Sequence, residues 1–244
     1  MPDHHDLVTK DGFRLRGTHM SRIDGFSDVV FGFALTLLVV SLEVPRTYDQ
    51  FHAALLGFFP FAICFLFLIL IWMSHFHFFR RYGLHDTPTL WINAALLFSV
   101  LFYVYPVKFM FAVASGIQVD PHIFSNLYQP REMMEVYSLG FAAIYICLTA
   151  LYWNAWRQRA HLRLSPLEIA ITIEDLCEKL GNAGVCLLCA LIAHLLPPER
   201  APNAGWFFFL IGIWSTINGF VWRRKIRRLR ASSPPQDLEP LAHA

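Results

Sequence analysis

Apolar and polar positions along this chain fall into long blocks rather than short periods. Six blocks, at about 24–44, 52–78, 88–108, 134–156, 177–196 and 205–222, are predominantly apolar. Each is close to, or longer than, the ~20 residues an α-helix needs to cross a bilayer. The pattern predicts an all-α, polytopic membrane protein with six transmembrane helices. Pro45 bounds the first block and Pro197-Pro198 the fifth, while Pro60 near the start of the second predicts a kink or tilt. The fourth block is the least apolar, and its Tyr137, Tyr145, Tyr152, Trp153 and Trp156 partly suit an interface belt. Residues 109–133 read as an external connection that extends the third helix or lies on the surface. Residues 164–176 read as a short amphipathic helix ahead of the fifth span, capped by Ser165 with Pro166 at its first position. Three regions follow: an N-terminal segment at 1–20, a six-helix domain at 21–230, and a Pro- and Ser-rich tail at 231–244 expected to be disordered.

Charge gives the expected orientation. Lys10, Arg14, Arg16 and Arg22, then Arg80 and Arg81, then Arg157, Arg159 and Arg163, then six basic residues between Arg223 and Arg230 all fall on one side. That is 15 basic residues against four on the other side, with Lys179 at the entrance to the fifth span. Positive-inside bias places both termini in the cytoplasm, and an even number of spans requires the termini to share a side.

Composition agrees: 56% of the 244 residues are hydrophobic and 16% charged, where a soluble domain carries about a quarter charged. The first 20 residues lack the apolar core of a signal peptide, so the first helix is expected to be its own insertion signal. Basic residues sit at helix ends, which gives no support to nucleic-acid binding. No phosphate loop, nucleophile motif or HExxH is present, so no enzyme is expected. Cys186 and Cys189 form a CxxC within an apolar helix, without the further ligands a metal or redox site needs; they read as small core residues.

The most informative stretch is Arg22-Ile23-Asp24-Gly25-Phe26-Ser27-Asp28, at the mouth of the first span. Ionisable groups near hydrocarbon are expensive and usually have partners. Asp24 and Asp28 suit the positive end of a helix, which is a sufficient reading of Asp24. Trp72 and His75, one turn apart near the same end of the second span, are candidate partners. We therefore expect a buried hydrogen-bonded cluster of Arg22, Ser27, Asp28, Trp72 and His75 that locks the first helix in place. His75 and His77 point different ways on a helix, so a metal site using both is not expected. Asn93, Asn182 and Asn218 are single polar residues in apolar runs, where interhelical hydrogen bonding is the default. On a helical wheel Phe26, Val29, Phe33, Thr36, Leu37, Val40 and Val44 form one stripe. Such a stripe suits ordinary helix packing. It also suits a pore, if several subunits present it around one axis.

The run Arg22-x-x-x-Phe26-Ser27-Asp28 resembles the RxxxFSD signature of the transmembrane protein 175 family of potassium channels. The likeness continues through Thr36-Leu37-Leu38-Val39 to Pro45. It extends to Trp72-x-x-His75, Asp86, Leu90-Trp91-x-Asn93 and Pro106, and covers roughly residues 20–108. It implies a prokaryotic member with one six-helix unit per chain, assembled as a homotetramer in the cell (inner) membrane. Animal relatives carry two such units and dimerise. The first helix of each unit lines the pore, and the TVGYG filter of ordinary potassium channels is absent, as it is here.

By position, the resemblance implies a constriction at Phe33, a threonine layer at Thr36, and further pore-facing residues at Leu37 and Val40. Arg22, Phe26, Ser27, Asp28, Trp72, His75 and Asn93 are then structural signature residues rather than ion contacts. The family usually has isoleucine or leucine at the place of Phe33, and often alanine at the place of Gly32, so the ring here is bulkier. The function expected is a potassium-permeable cation channel with K+ as the permeant ion, no cofactor and no resident metal. The alternatives are a secondary, ion-coupled transporter using groups such as His75, Asp28 or Asn182, and a membrane metalloprotein or enzyme built on HxH and CxxC.

Overall fold

The computed structural model describes residues 8–9, 11–40, 46–48, 51–52, 55, 58–115, 124–126 and 128–232. Within them lie six long helices: α1 (Arg22–Val40), α2 (Phe58–Tyr82), α3 (Thr87–Ser115), α4 (Gln129–Arg157), α5 (Pro166–Leu195) and α6 (Phe209–Ser232). A 3-10 helix (Ala201–Phe208) precedes α6. Five of them, α2 to α6, are long and apolar enough to cross a membrane by length and composition.

Among the described residues, α1 touches only α2 and α3 of the other helices; α3 then packs on α4, α4 most extensively on α5, and α5 on α6. The core runs along the centre of this arrangement, through Leu38 of α1, Phe78 of α2, Leu96 and Val100 of α3, Phe141 and Leu148 of α4, and Leu167 and Cys186 of α5. Tyr103 of α3 donates to the Tyr137 and Val136 carbonyls of α4. It can do so because Gly140 has no side chain: a Cβ there would overlap the Tyr103 ring at 1.7 Å.

Pro106 lies inside α3, which continues past it to Ser115. The connection expected at 109–133 is thus helical at both ends, from α3 and α4; its residues 116–123 and 127 lie outside the described residues. So does most of the tail expected at 231–244, since α6 reaches Ser232.

One expectation needs correction. The amphipathic piece at 164–176 is no separate helix but the first turns of α5, which runs unbroken from Pro166 to Leu195. Its start is as expected, with Ser165 as N-cap and Pro166 at the first position. A reciprocal capping box completes it: Glu168 N–H donates to Ser165 Oγ, and Ser165 N–H to Glu168 Oε2. α5 ends where Leu196, ahead of Pro197, turns extended with ψ 150°, as the proline ring requires.

The N-terminal segment is packed against the bundle. Val8 and Arg14 pair in an antiparallel bridge, and Phe13 between them is fully buried against Tyr82. Arg16 forms a two-pronged ion pair with the wholly buried carboxylate of Glu168, at 3.0 and 2.9 Å. Arg14 N–H and Ser165 N–H fill the remaining acceptor sites. The same end of the bundle holds an Arg81–Asp175 pair at 2.6 Å. The basic stretches of the N-terminus, the α2 end and the α4–α5 loop thus meet at one end of the molecule.

Candidate pore helix and its anchoring network

α1 has two unlike faces. Ser27, Phe31, Ala34 and Leu38, spaced by three and four, are buried against α2 and α3. Phe26, Val29, Phe33, Thr36 and Leu37 lie on the opposite face and are exposed, Phe33 by 56%. Val40 is the last residue of α1; its side chain lies outside what is described.

Hydrogen bonds fix the buried face. Asn93 of α3 donates from Nδ2 to Ser27 Oγ at 2.9 Å, and its Oδ1 faces His75 Nε2 of α2 at 2.8 Å. Because Oδ1 can only accept, His75 donates from Nε2. One asparagine thereby joins three helices. Beside it, Trp72 Nε1 donates to Asp28 Oδ1 at 2.8 Å, with the indole stacked on Phe76. The imidazole of His75 packs between Phe31 and Phe79. His77 is exposed and faces elsewhere.

The other signature residues have separate placements. Arg22 is exposed and forms no hydrogen bond or ion pair among the described residues, so the cluster closes without it. Phe26 is exposed on the side of α1 away from α2 and α3. Asp24 serves the helix start: its Oδ2 accepts from Ser21 N–H and Oγ–H at 3.0 and 2.8 Å, while its own N–H donates to Ser21 Oγ. Of the two other lone asparagines, Asn218 donates to the Glu174 carbonyl and Asn182 to Ser215 Oγ, both between α5 and α6.

Thr36 Oγ1 donates to the Gly32 carbonyl at 2.9 Å. The hydroxyl proton is therefore used within α1, and the oxygen lone pairs remain for another partner. Gly32 is also exposed, with nothing among the described residues within 4 Å of where a Cβ would stand. At the start of α1 a cavity of about 680 Å³ is lined by Asp24, Asp28, His75, His19 and Phe79. Asp24 Oδ1 and His75 Nδ1, buried without a partner among the described residues, belong to this lining. The cavity is large and polar enough for water to serve them.

Two supports escaped the sequence reading. Asn154 of α4 donates to Asp86 and to Thr89 Oγ1, and Thr89 donates to Asp86, tying the start of α3 to α4. The chain leading to α1 crosses the α2 end at Gly17 and Gly83. Gly17 N–H donates to the Arg80 carbonyl, and a Cβ on Gly17 would stand 2.3 Å from the Phe79 carbonyl oxygen. Gly83 has φ +57°, and its Cβ position is 3.0 Å from the Arg16 and Gly17 backbone. Glycine pairs of this kind have no period or charge to mark them in a sequence.

This is a multi-pass, all-α membrane protein in which one helix is pinned along one face and open along the other. It belongs to the TMEM175 family. The model of the family described as endosomal/lysosomal potassium channel TMEM175 matches residues 22–103, the span from the start of α1 into α3. A protein of Marivirga tractuosa named as a potassium channel is 35% identical over 231 residues, covering 89% of this chain and 93% of that protein. A potassium channel of Chamaesiphon minutus is 29% identical over 142 residues, 55% of this chain and 64% of the relative. Among solved structures, a threonine-to-alanine variant of the potassium channel MtTMEM175, in complex with a nanobody–MBP fusion, aligns with TM-score 0.76. It is 31% identical and covers 89% of this chain and 99% of that one. A lysosomal potassium-selective channel TMEM175 homolog from Chamaesiphon minutus shares the fold, with TM-score 0.53 at 23% identity over 81% of this chain and 96% of that one.

Proposed function

We propose that this chain is a potassium-permeable channel whose pore is lined by α1 from four copies of the chain. The observation that carries this reading is the division of α1. Its buried face is held by Ser27, Asp28 and the Leu38 side, while Val29, Phe33, Thr36 and Leu37 are exposed, away from α2 and α3. A fourfold axis along that face would gather Phe33, Leu37 and Val40 into apolar rings that gate by excluding water. The Thr36 rings would offer a passing cation oxygen lone pairs, since the hydroxyl protons are turned back to Gly32. Names of the relatives as potassium channels support K+ as the ion.

On this reading Ser27, Asp28, Trp72, His75 and Asn93 hold the pore helix and do not touch ions. The protein lies in a prokaryotic cell membrane, with the charged end of the bundle in the cytoplasm. Potassium flux into liposomes containing purified protein tests the proposal. Wild type should conduct under a K+ gradient, and Phe33→Ala should conduct faster. Absence of flux in both forms contradicts it.

A further inference from the structure

We propose that the charged cavity beside the end of α6 binds the headgroup of an aminophospholipid, a lipid carrying both a phosphate and a primary ammonium. The cavity, about 420 Å³, opens between the N-terminal segment, the end of α2, α5 and α6. Arg223, Arg227 and Arg230 of α6 lie on one face of that helix and line one side of the cavity. None of the three forms an ion pair or hydrogen bond among the described residues. Asp11 and Glu174 line it as well, and neither carboxylate accepts a hydrogen bond among the described residues. The remaining pair, Arg81 and Asp175, satisfies itself at 2.6 Å, with the Arg81 guanidinium over Phe13.

The depth is that of lipid headgroups. α6 changes from apolar to basic at Trp222-Arg223, Lys225 lies over the Trp222 ring, and Arg224 lies over Phe220. Basic clusters directly outside a membrane span attract anionic lipid groups. A purely anionic ligand would bring its phosphate against two carboxylates, and a simple cation would meet three arginines. A phosphate on the arginine side with an ammonium on the carboxylate side satisfies both sets. A primary ammonium can donate hydrogen bonds to Asp11 and Glu174, whereas a choline group cannot.

Occupancy has a structural consequence. Asp11 sits on the segment that continues through Gly17 into α1, so a headgroup held there ties α6 to the approach of α1.

Full-length protein in detergent would be titrated with phosphatidylethanolamine, phosphatidylcholine and phosphatidylglycerol, and binding read by native mass spectrometry and thermal shift. Inorganic phosphate and soluble phosphoethanolamine form separate arms. Wild type should prefer phosphatidylethanolamine to both other lipids by about tenfold, the effect of one charge-assisted hydrogen bond. Glu174→Gln should lose the preference over phosphatidylcholine and keep lipid binding. Arg223→Ala with Arg227→Ala, both exposed positions, should lose all three lipids. Equal binding of phosphatidylglycerol or phosphatidylcholine by wild type overturns the proposal. So does phosphate stabilising as well as phosphoethanolamine, or variants that bind as wild type does.

Discussion

Asn93 and Ser27 are joined across α3 and α1 by a 2.9 Å hydrogen bond, and the same asparagine accepts from His75. Both asparagine atoms are used and both partners are buried. Asn93→Leu keeps the volume and leaves two buried polar groups without partners, at a cost of about 1–3 kcal/mol. Ser27→Ala should cost less, and the double variant less than the sum of the two, because the residues share one interaction. Equilibrium unfolding in mixed micelles measures this.

The Trp72–Asp28 bond makes a second, separable prediction. Trp72→Phe removes the donor and should destabilise by about 1.5–3 kcal/mol, the range for hydrogen bonds to charged groups. Asp28→Asn retains an oxygen acceptor for Trp72 and should be much milder. Equal losses for the two variants would show that the bond does not hold α1.

At the charged end, Glu168 is wholly buried and satisfied by Arg16, Arg14 N–H and Ser165 N–H. Arg16→Met should cost about 3–5 kcal/mol, because it strands a buried carboxylate. Arg16→Lys should also be damaging, since a single ammonium cannot replace the two-pronged contact. Thermal unfolding should show both losses, with the methionine variant the worse.

Asp86 supplies a pH prediction outside the membrane helices. Burial opposes its ionisation, but hydrogen bonds from Thr89, Asn154 and Gln158 outweigh it and hold the carboxyl below its ordinary 3.8. A depressed carboxyl adds stability above its unfolded value, and that contribution disappears as pH falls through the folded one. Asn154→Ala should therefore narrow the stability difference between neutral pH and about pH 3. Melting curves of both proteins across that range provide the check.

What the sequence made legible follows from local physics. Apolar block length located the six helices, and the cap at Ser165 marked the start of α5. The 22–28 segment pointed to Trp72 and His75. Charge along α5 misled, because Glu174, Asp175, Glu178 and Lys179 resemble the end of a membrane segment. Three of them are accommodated mid-helix by partners on other elements or beside them: Arg81 pairs with Asp175, Lys179 with Glu178, and Ser215 donates to Glu178. Arg22 and Asp28 are each expected to find partners on other helices; Trp72 serves Asp28, and Arg22 stays outside the cluster. The polar first 20 residues concealed a buried Phe13 and the ion pair of Arg16 with Glu168. Nothing in a local window couples residues so far apart in sequence.

The open face of α1 also permits a clean contrast. Gly17→Ala meets the Phe79 carbonyl at 2.3 Å, whereas Gly32→Ala meets nothing within 4 Å among the described residues. Gly17→Ala should destabilise the protomer. Gly32→Ala should leave it as stable or raise it by about 0.5–1 kcal/mol, so any fall in its ion flux reports on the assembled ring.

The most direct test of the account is the reversal potential of purified protein in a planar bilayer, with K+ on one side and Na+ on the other. The account predicts a K+-directed potential for wild type that moves toward zero in Thr36→Val, with larger currents in Phe33→Ala. An unchanged reversal potential in Thr36→Val would remove Thr36 from the mechanism, and no current in wild type and Phe33→Ala alike would contradict a pore along α1.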